Sequence, residues 1–326
     1  MSRAQASELP VSEEARAFLA DCPTPTGDVE HRVEAFISQH RDPTGKLRRP
    51  IVCVTSGGTI VPLEKRCIRF IDNFSGGTRG ALSTEYFLQE GYAVIFLNRK
   101  HSIQPFTKGL PSGHIMDCLT QVLDSPEVGT SSPLQNGHHE GAAPPSSGNS
   151  SGSSGDGGPK RRRQGNRHSS ARAIVKQAVA RASGVRKQGV LLHITFETLF
   201  EYLKFLEVIA HQLRSCGRQA GFYLAAAVSD FYIPWASMVE HKMQSTDASD
   251  GLTLHLRKVP KMLGVLRHHW APEAFIVSFK LETDERILMD KARGAMERYG
   301  VHVVVANTLQ DRKERVQLVQ ATDRLP

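Results

Sequence analysis

The amino-acid sequence predicts an α/β protein built on a doubly wound, mainly parallel, Rossmann-like sheet, and three observations indicate this fold class. Short apolar runs typical of buried strands, such as IVCVT and YAVIFLN, alternate along the chain with helical patterns. These runs are almost continuously apolar, as in parallel strands that are covered on both faces. A glycine-rich turn, SGGT, directly follows the first run. In such sheets ligands bind beyond the carboxyl ends of the strands, so the site is expected there.

The predicted elements follow one another in a regular order. Two helical patterns, around Glu13–Leu19 and Val29–His40, precede the first strand. The predicted strands are Ile51–Thr55, Tyr92–Asn98, Gly221–Asp230, Leu252–Val259, Ala274–Lys280 and Val301–Asn307. The predicted helices are Arg79–Glu90 after a glycine turn, the strongly amphipathic Phe196–Gly217, Pro260–Trp270 and Glu285–Tyr299. Strands interleaved with helices imply βαβ units.

A change of composition divides the chain into segments. Residues 1–49 are expected to form an N-terminal helical arm, and residues 50–124 the first part of the main domain. Residues 125–170 are rich in Ser, Gly, Pro and charge, so they bury too little apolar surface to fold and are expected to form a disordered insertion. Residues 171–326 are expected to complete the domain.

Charge and cysteine content limit the classes of protein to which this chain can belong. The 326 residues carry a formal net charge of +8, but much of the excess lies in local runs such as Lys160–Arg163. That run resembles a nuclear-import signal or an RNA-binding tract, with a simply solvated run as the alternative, so no nucleic-acid partner is expected. The five scattered cysteines favour reduced thiols, and no run approaches the roughly 18 apolar residues of a membrane span. A cytoplasmic protein without a membrane partner or zinc site is expected.

The stretch IRFIDNFSGGTRGALSTEYFL, Ile68–Leu88, places a glycine-rich turn directly before a helical pattern. Glycines let backbone N–H groups approach a ligand closely, and the first turn of a helix offers unpaired donors with partial positive charge. The stretch lacks both the G-x-G-x-x-G fingerprint and the P-loop ending. An anion site is one interpretation, and a plain glycine-rich turn is the other.

The predicted strand ends bring a set of small, polar and aromatic residues to one edge of the sheet. They are Ser56, Gly57, Gly58, Thr59, Ala226, Ala227, Asp230, Phe279, Lys280 and Asn307. Each has an ordinary explanation when taken alone, such as close packing, core or a turn cap. Their joint position at one edge favours a ligand cleft.

Six ordered motifs, VTSGGT, RFIDNFSGG, LAAAVSDFYIP, EHKMQS, FKLET and VVVAN, resemble those of the phosphopantothenoylcysteine synthetase (phosphopantothenate–cysteine ligase) family. The resemblance covers Ile51–Asn307 apart from the insertion and is closest to the eukaryotic, monofunctional, ATP-using type. It implies a ligase of coenzyme A biosynthesis that joins 4′-phosphopantothenate to L-cysteine through an acyl-adenylate, releasing pyrophosphate and then AMP. ATP is then a co-substrate, and Mg²⁺ binds with the nucleotide rather than in a protein site.

The resemblance also implies roles for individual residues. Lys242 and Asn73 are the implied catalytic residues, Lys242 neutralising charge at the reacting phosphate and Asn73 holding the acyl group. The implied ATP-binding residues are Gly57, Ser75, Gly77, Gly80, Phe279 and Asn307. The implied phosphopantothenate-binding residues are Asn73, Ala226, Ala227, Asp230 and Arg69, the last reaching from the neighbouring subunit of a homodimer.

Two departures and two alternatives accompany this resemblance. The family motif reads N-F-S-S-G, whereas this chain has Gly76 in place of the second serine, and the sequence after Asn307 is shorter than usual. One alternative is therefore an inactive truncated form that acts as a binding protein, with an RNA-associated protein as a variant of it. The other is a Rossmann-type NAD(P)-dependent oxidoreductase, which lacks the expected fingerprint.

Overall fold

The structure, a computed structural model, describes residues 11–23, 28–110, 164–244 and 251–320. In the N-terminal part the helices and strands are α1 (Glu13–Asp21), α2 (Val29–Gln39), β1 (Ile51–Ser56), β2 (Ile60–Pro62), β3 (Phe70–Asp72), α3 (Thr78–Gln89) and β4 (Ala93–Arg99). Next come α4 (Gln164–Gln188), β5 (Leu191–Phe196), α5 (Leu199–Leu213), the 3₁₀ helix Arg214–Gln219, β6 (Ala220–Leu224) and β7 (Phe231–Tyr232).

The remaining elements complete the sheet. They are the 3₁₀ turn Trp235–Ser237, β8 (Arg257–Lys258), α6 (Met262–Val265) with a π-helical turn Leu266–Trp270, β9 (Phe275–Glu282), α7 (Glu285–Tyr299), β10 (Val303–Thr308) and β11 (Gln317–Gln320). Residue contacts divide the chain into two units. The larger, Met1–Lys108 with Arg181–Pro326, contains all of these strands, and the smaller, Gly109–Ala180, contains the first part of α4.

A seven-stranded sheet forms the centre of the larger unit, with the order β11-β10-β9-β6-β1-β4-β5. All neighbours are parallel except β10 and β11, which pair antiparallel. From the central β1 the chain first adds β4 and β5 on one side, then crosses to add β6, β9 and β10 on the other. The reversal places a topological switch point between β1 and β6.

Local sequence fixes the ends of several helices. Thr198 and Glu201 form a reciprocal capping box at the start of α5, which satisfies two otherwise unpaired N–H groups. Asp284 accepts a hydrogen bond from the Arg286 N–H at the start of α7, and Gly300 ends that helix in the left-handed conformation. These caps explain where both helices begin and where α7 ends.

Apolar side chains cover both faces of the sheet. On one face a cluster joins the sheet to α3 and consists of Val52, Val54, Ala81, Val94 and Phe96. On the other face a larger core joins the sheet to α1, α2, α5 and α7, and it includes Phe18, Val33, Ile95, Ile209, Phe222 and Leu288. Burial on both faces confirms the doubly wound fold class predicted from the continuous apolar strands.

Two predictions about strands need correction. Among the described residues, the strand predicted over Leu252–Val259 is reduced to Arg257–Lys258, which pairs with β7. The strand predicted over Gly221–Asp230 ends at Leu224, and β5 and α4 were not predicted. Most of the predicted insertion lies outside the described residues, and its last residues, 164–170, lie at the start of α4.

Among the residues that the structure describes, no helix has both the length and the apolar character needed to cross a bilayer.

Candidate active site at the carboxyl edge of the sheet

The loops after β1 and β6 meet at the topological switch point. The Ala227 N–H donates to the Gly57 carbonyl at 2.8 Å, and the Thr59 N–H donates to the Ala227 carbonyl at 3.0 Å. The Ala226 N–H donates to Thr55 Oγ1 at 3.1 Å. These hydrogen bonds bring together three residues from the sequence prediction, Gly57, Ala226 and Ala227, where a doubly wound sheet offers its ligand cleft.

Asn73 is fixed against the first of these loops. Its N–H donates to the Thr59 carbonyl at 3.0 Å. A Cβ atom at Gly58 would lie only 1.9 Å from the Asn73 carbonyl oxygen, so a glycine is needed for this approach. The Asn73 side chain is half-buried beside the switch point.

Helix α3 begins next to the same loops. Its N-cap is Gly77, whose carbonyl accepts a hydrogen bond from Ser56 Oγ at 2.9 Å. Gly80 packs so closely on Ser56 that a Cβ atom would lie 2.4 Å from Oγ. The first turn of α3 has no side-chain cap and no acidic residue. The N–H groups of this turn and the positive end of the helix dipole could therefore attract an anion at the edge of the sheet.

Two other residues of this turn were singled out in the sequence. Ser75 Oγ accepts a 3.4 Å hydrogen bond from the Gly77 N–H and stays half-buried. At Gly76 an added Cβ atom would meet no atom within 4 Å, so a serine would fit there. The glycine at this position therefore has no steric cause in the structure.

Phe279 and Asn307 lie on neighbouring strands and point to the same side of the sheet as α3. Phe279 of β9 pairs with Val305 of β10, two residues before Asn307. Arg79, in the first turn of α3, reaches both: its Nη1 donates to Asn307 Oδ1 at 3.0 Å, and its guanidinium carbon lies 5.4 Å from the centre of the Phe279 ring. Arg79 was not predicted as a site residue, because its local signal is no more than a cation two residues after Gly77.

The Phe279 ring has a fixed orientation. Tyr223 contacts it edge to face, with 4.9 Å between the ring centroids. The Tyr223 hydroxyl is in turn joined to Ser83 Oγ of α3 at 3.0 Å. The ring therefore forms a rigid half-buried wall at this edge.

Lys242 lies on a loop that runs beside the β2–β3 hairpin. Its side chain is exposed, and within the described residues its ammonium group has no ion-pair partner. The next residue, Met243, is held through its backbone: its N–H donates to Glu64 Oε1 at 3.4 Å, and its carbonyl accepts from Arg69 Nη1 at 3.2 Å. Arg69 also forms a 2.7 Å ion pair with Glu64. The structure thus ties the Lys242 loop to Arg69 of the same chain.

The other two charged residues at the predicted strand ends form ion pairs. Asp230 is exposed and lies 3.3 Å from Lys261 Nζ. Lys280 lies 3.3 Å from Glu282, which also pairs with Lys291 at 2.9 Å. Burial acts to raise the pKa of Glu282, but hydrogen bonds from Lys291 and Lys280 outweigh it and lower that pKa. In the described part of the chain, no group of three or more His, Cys, Asp or Glu side chains can hold a metal ion.

Comparison with known proteins gives a consistent assignment. Residues 206–323 match the family model of the DNA/pantothenate metabolism flavoprotein C-terminal domain. The chain is 44% identical over 290 residues to phosphopantothenate–cysteine ligase 2 of Oryza sativa subsp. japonica, covering 89% of this chain and 77% of that protein. It is 39% identical over 301 residues to the Homo sapiens phosphopantothenate–cysteine ligase, covering 92% of this chain and 85% of that one.

A solved structure supports the same assignment. The complex of a Cab2 mutant with phosphopantothenate-cysteine superimposes with a TM-score of 0.71 at 33% identity, covering 94% of this chain and 87% of the other. Similarity to ligases over most of the chain confirms the resemblance seen in the motifs and gives the oxidoreductase alternative no support. The chain belongs to the phosphopantothenate–cysteine ligase family.

Proposed function

We propose that this enzyme joins 4′-phosphopantothenate to L-cysteine at the carboxyl edge of the sheet, using ATP in preference to CTP, as a step of coenzyme A biosynthesis. The substrate carboxylate attacks the α-phosphorus of ATP, forming an acyl-adenylate and releasing pyrophosphate. The cysteine amine then attacks the acyl carbon, forms the amide, loses a proton and releases AMP. Support comes from the family membership and from the arrangement of groups around the switch point.

One observation carries this proposal: the uncapped start of α3 lies beside Asn73 and the Gly57 loop, where two anions must be brought together. We assign the nucleotide phosphates to the N–H groups of Gly77 and Gly80 and to the Ser75 hydroxyl. The Gly77 N–H would then exchange its 3.4 Å hydrogen bond to Ser75 Oγ for one to a phosphate oxygen. Because no acidic residue lies in the first turn of α3, nothing there repels a triphosphate. We also assign Gly57, on the loop after β1 that is hydrogen-bonded to Ala227, to the nucleotide site.

The base stacks on Phe279 in this proposal, and Asn307 accepts or donates a hydrogen bond at its polar edge. In the structure the Arg79 guanidinium covers that ring and occupies Asn307 Oδ1. Arg79 therefore swings away when the base enters, toward the phosphates that lie at its own end of α3.

Asn73 and Lys242 act on the reacting groups. The Asn73 amide donates to the acyl oxygen, and because it is neutral it does not repel the incoming carboxylate. The Lys242 ammonium neutralises charge that develops on the α-phosphate during attack. Its side chain is exposed and has no ion-pair partner among the described residues, so no ion pair of that kind has to be broken before it reaches the phosphate.

The pantothenate arm lies along the loop after β6. Ala226 and Ala227 leave space for it, and the Asp230 carboxylate accepts hydrogen bonds from its hydroxyl or amide groups. Mg²⁺ would bind together with the nucleotide, held by phosphate oxygens and water as is common for this ion, and would neutralise phosphate charge.

The active form is a homodimer in this proposal, with Arg69 of one subunit gripping the substrate phosphate bound by its neighbour. Large apolar side chains on and beside the β2–β3 hairpin are exposed, namely Ile68, Phe70, Ile71 and Phe74. Such a patch is suited to burial against a second subunit. The Arg69 side chain, although paired with Glu64, remains 38% exposed within the same patch.

The direct test is product formation. Purified protein is incubated with phosphopantothenate, L-cysteine, Mg²⁺ and either ATP or CTP, and products are identified by mass. We expect phosphopantothenoyl-cysteine, AMP and pyrophosphate, with ATP preferred. Release of ADP and phosphate, or no amide product with either nucleotide, would contradict the proposal.

The free thiols Cys22, Cys53, Cys67 and Cys216 suit a reducing cytosol, where we place the reaction.

A further inference from the structure

The loop that carries Lys242 is paired along its length with the turn between β2 and β3. We name residues 239–244 the lysine loop and residues 63–69 the glutamate turn. The Lys65 N–H donates to the Val239 carbonyl at 3.0 Å, and Arg66 Nε lies 3.0 Å from Glu240 Oε1. The contacts of Met243 with Glu64 and Arg69 continue this pairing at the other end of the lysine loop. Lys242 therefore lies between Glu240 and Met243, which both contact the glutamate turn, on a loop that is otherwise exposed.

Glu64 is the centre of this arrangement. Its side chain is 0% exposed, although glutamate is almost never fully buried without a partner. Three donors satisfy its carboxylate: the Arg69 N–H at 2.8 Å, Arg69 Nη1 at 2.7 Å and the Met243 N–H at 3.4 Å. One buried carboxylate thus holds the arginine of the hairpin and the backbone next to the lysine.

The geometry points to Glu64 as a positioning residue: we infer that it sets the position of Lys242 at the reacting phosphate by fixing Met243. This inference rests on the proposed role of Lys242. Lysine has a long flexible side chain, so its effect on a transition state depends on where its backbone is anchored. A carboxylate in the interior can hold that backbone while keeping its own charge balanced by Arg69.

A purely structural role for Glu64 predicts a different result. Loss of the buried carboxylate would then lower stability without changing the turnover of the molecules that remain folded. The total activity, not corrected for the folded fraction, would fall by the same factor whether or not Lys242 is present. A double-mutant cycle between the two residues separates these cases.

The experiment compares wild type, Glu64→Gln, Lys242→Gln and the double variant in ATP–pyrophosphate exchange with saturating phosphopantothenate, corrected for the folded fraction. We expect Glu64→Gln to lower kcat about tenfold or more with the KM for ATP within about twofold, since a misplaced group costs this much. Added to Lys242→Gln, it should change the rate by less than about twofold. Equal losses in both backgrounds, a loss confined to KM, or wild-type kcat would overturn the inference.

Glu240→Gln is the matched control. It removes an ion pair between the same two segments, but that pair is exposed, with 49% of the Glu240 side chain accessible. Exposed pairs contribute little, so its kcat should match wild type. An equal loss of kcat in this control would show that losing any contact between the two segments lowers the rate. That result would overturn the specific role of Glu64.

Hydrogen exchange in the wild-type chain keeps the inference testable if Glu64→Gln does not fold, or if wild type shows no exchange activity. The Met243 amide should exchange at least roughly tenfold more slowly than a free peptide, because it donates to a buried carboxylate. Exchange at the free-peptide rate would overturn the inference. Protection of Met243 in a protein without adenylation activity would contradict the proposed function while leaving the Glu64 contact in place.

Discussion

Arg79 Nη1 and Asn307 Oδ1 are joined by a hydrogen bond of 3.0 Å, which links the first turn of α3 to the end of β10. A second bond from Arg79 Nη2 to the Arg312 carbonyl, 2.6 Å long, fixes the guanidinium over the Phe279 ring. The proposed base site is therefore covered by a side chain of the protein. Nucleotide binding must replace a cation–π contact and two hydrogen bonds.

Replacing Arg79 tests this relationship. In Arg79→Ala the nucleoside adenosine should bind roughly fivefold more tightly, because it no longer competes with contacts worth about 1 kcal/mol. ATP should gain less, since the same change removes a positive charge near its phosphates. Isothermal titration with adenosine and with ATP measures both. Arg79→Lys, which keeps the charge but loses the forked contacts, is the control, and weaker adenosine binding in Arg79→Ala would show that Arg79 is a wall of the site instead.

Lys242→Gln should lower adenylation by roughly 10²-fold, the usual effect of losing one charge-stabilising group. Nucleotide affinity should stay nearly unchanged, because the lysine acts on charge that develops during the reaction. Stability should also be unchanged, since the side chain is exposed. Single-turnover kinetics and a binding titration separate the two effects. A variant with the wild-type rate would place Lys242 outside the reaction.

Glu64 should make stability depend on pH in acid. Burial acts to raise the pKa of its carboxyl, but hydrogen bonds from Arg69 and Met243 outweigh it, so the pKa lies below its ordinary value. A carboxyl with a lowered folded-state pKa stabilises the protein above the unfolded pKa of about 4.3, and this contribution is lost as the pH falls through the folded value. Urea unfolding from about pH 7 to pH 3 should show that the free energy of unfolding of wild type falls toward that of Glu64→Gln as the pH is lowered. A constant difference in the free energy of unfolding between the two proteins over this pH range would contradict this expectation.

Subunit mixing tests whether Arg69 acts on the neighbouring site. Arg69→Ala and Lys242→Gln should each be nearly inactive alone, but a mixed dimer pairs one intact Lys242 with the partner subunit's intact arginine. Random reassortment makes about half of the dimers mixed, each with one restored site, so about a quarter of wild-type activity should return. No recovery, with exchange of subunits confirmed by mass, would mean that Arg69 serves its own chain.

The parts of the fold that were predictable carry their signal locally. Continuous apolar runs indicated β1, β4, β9 and β10, and amphipathic spacing with caps indicated α5 and α7. The strand predicted at residues 252–259 failed because its alternating Leu252, Leu254 and Leu256 are exposed instead of facing a core. Whether such a segment extends a sheet depends on a partner strand, which a local pattern does not specify.

The candidate site likewise contains some residues that could be predicted from local sequence and others that could not. The strand-end rule placed Gly57, Ala226 and Ala227 at one edge, and hydrogen bonds between the loops join them there. Arg79 and Glu64 were not found, because their contacts reach Asn307 and Met243, more than 170 positions further along the chain. An arginine in a first helical turn and a glutamate in a short turn have no distinguishing spacing, and only the folded chain shows which groups they hold.

The central claim is that the acid is activated before the amine attacks, and exchange of labelled pyrophosphate into ATP tests it most directly. Wild-type protein with ATP, Mg²⁺ and phosphopantothenate should transfer label from pyrophosphate into ATP when L-cysteine is absent. This is expected because adenylation does not need cysteine and is reversible. Omitting phosphopantothenate should abolish the exchange. Exchange that requires cysteine, or that proceeds without phosphopantothenate, would contradict an acyl-adenylate formed at this site.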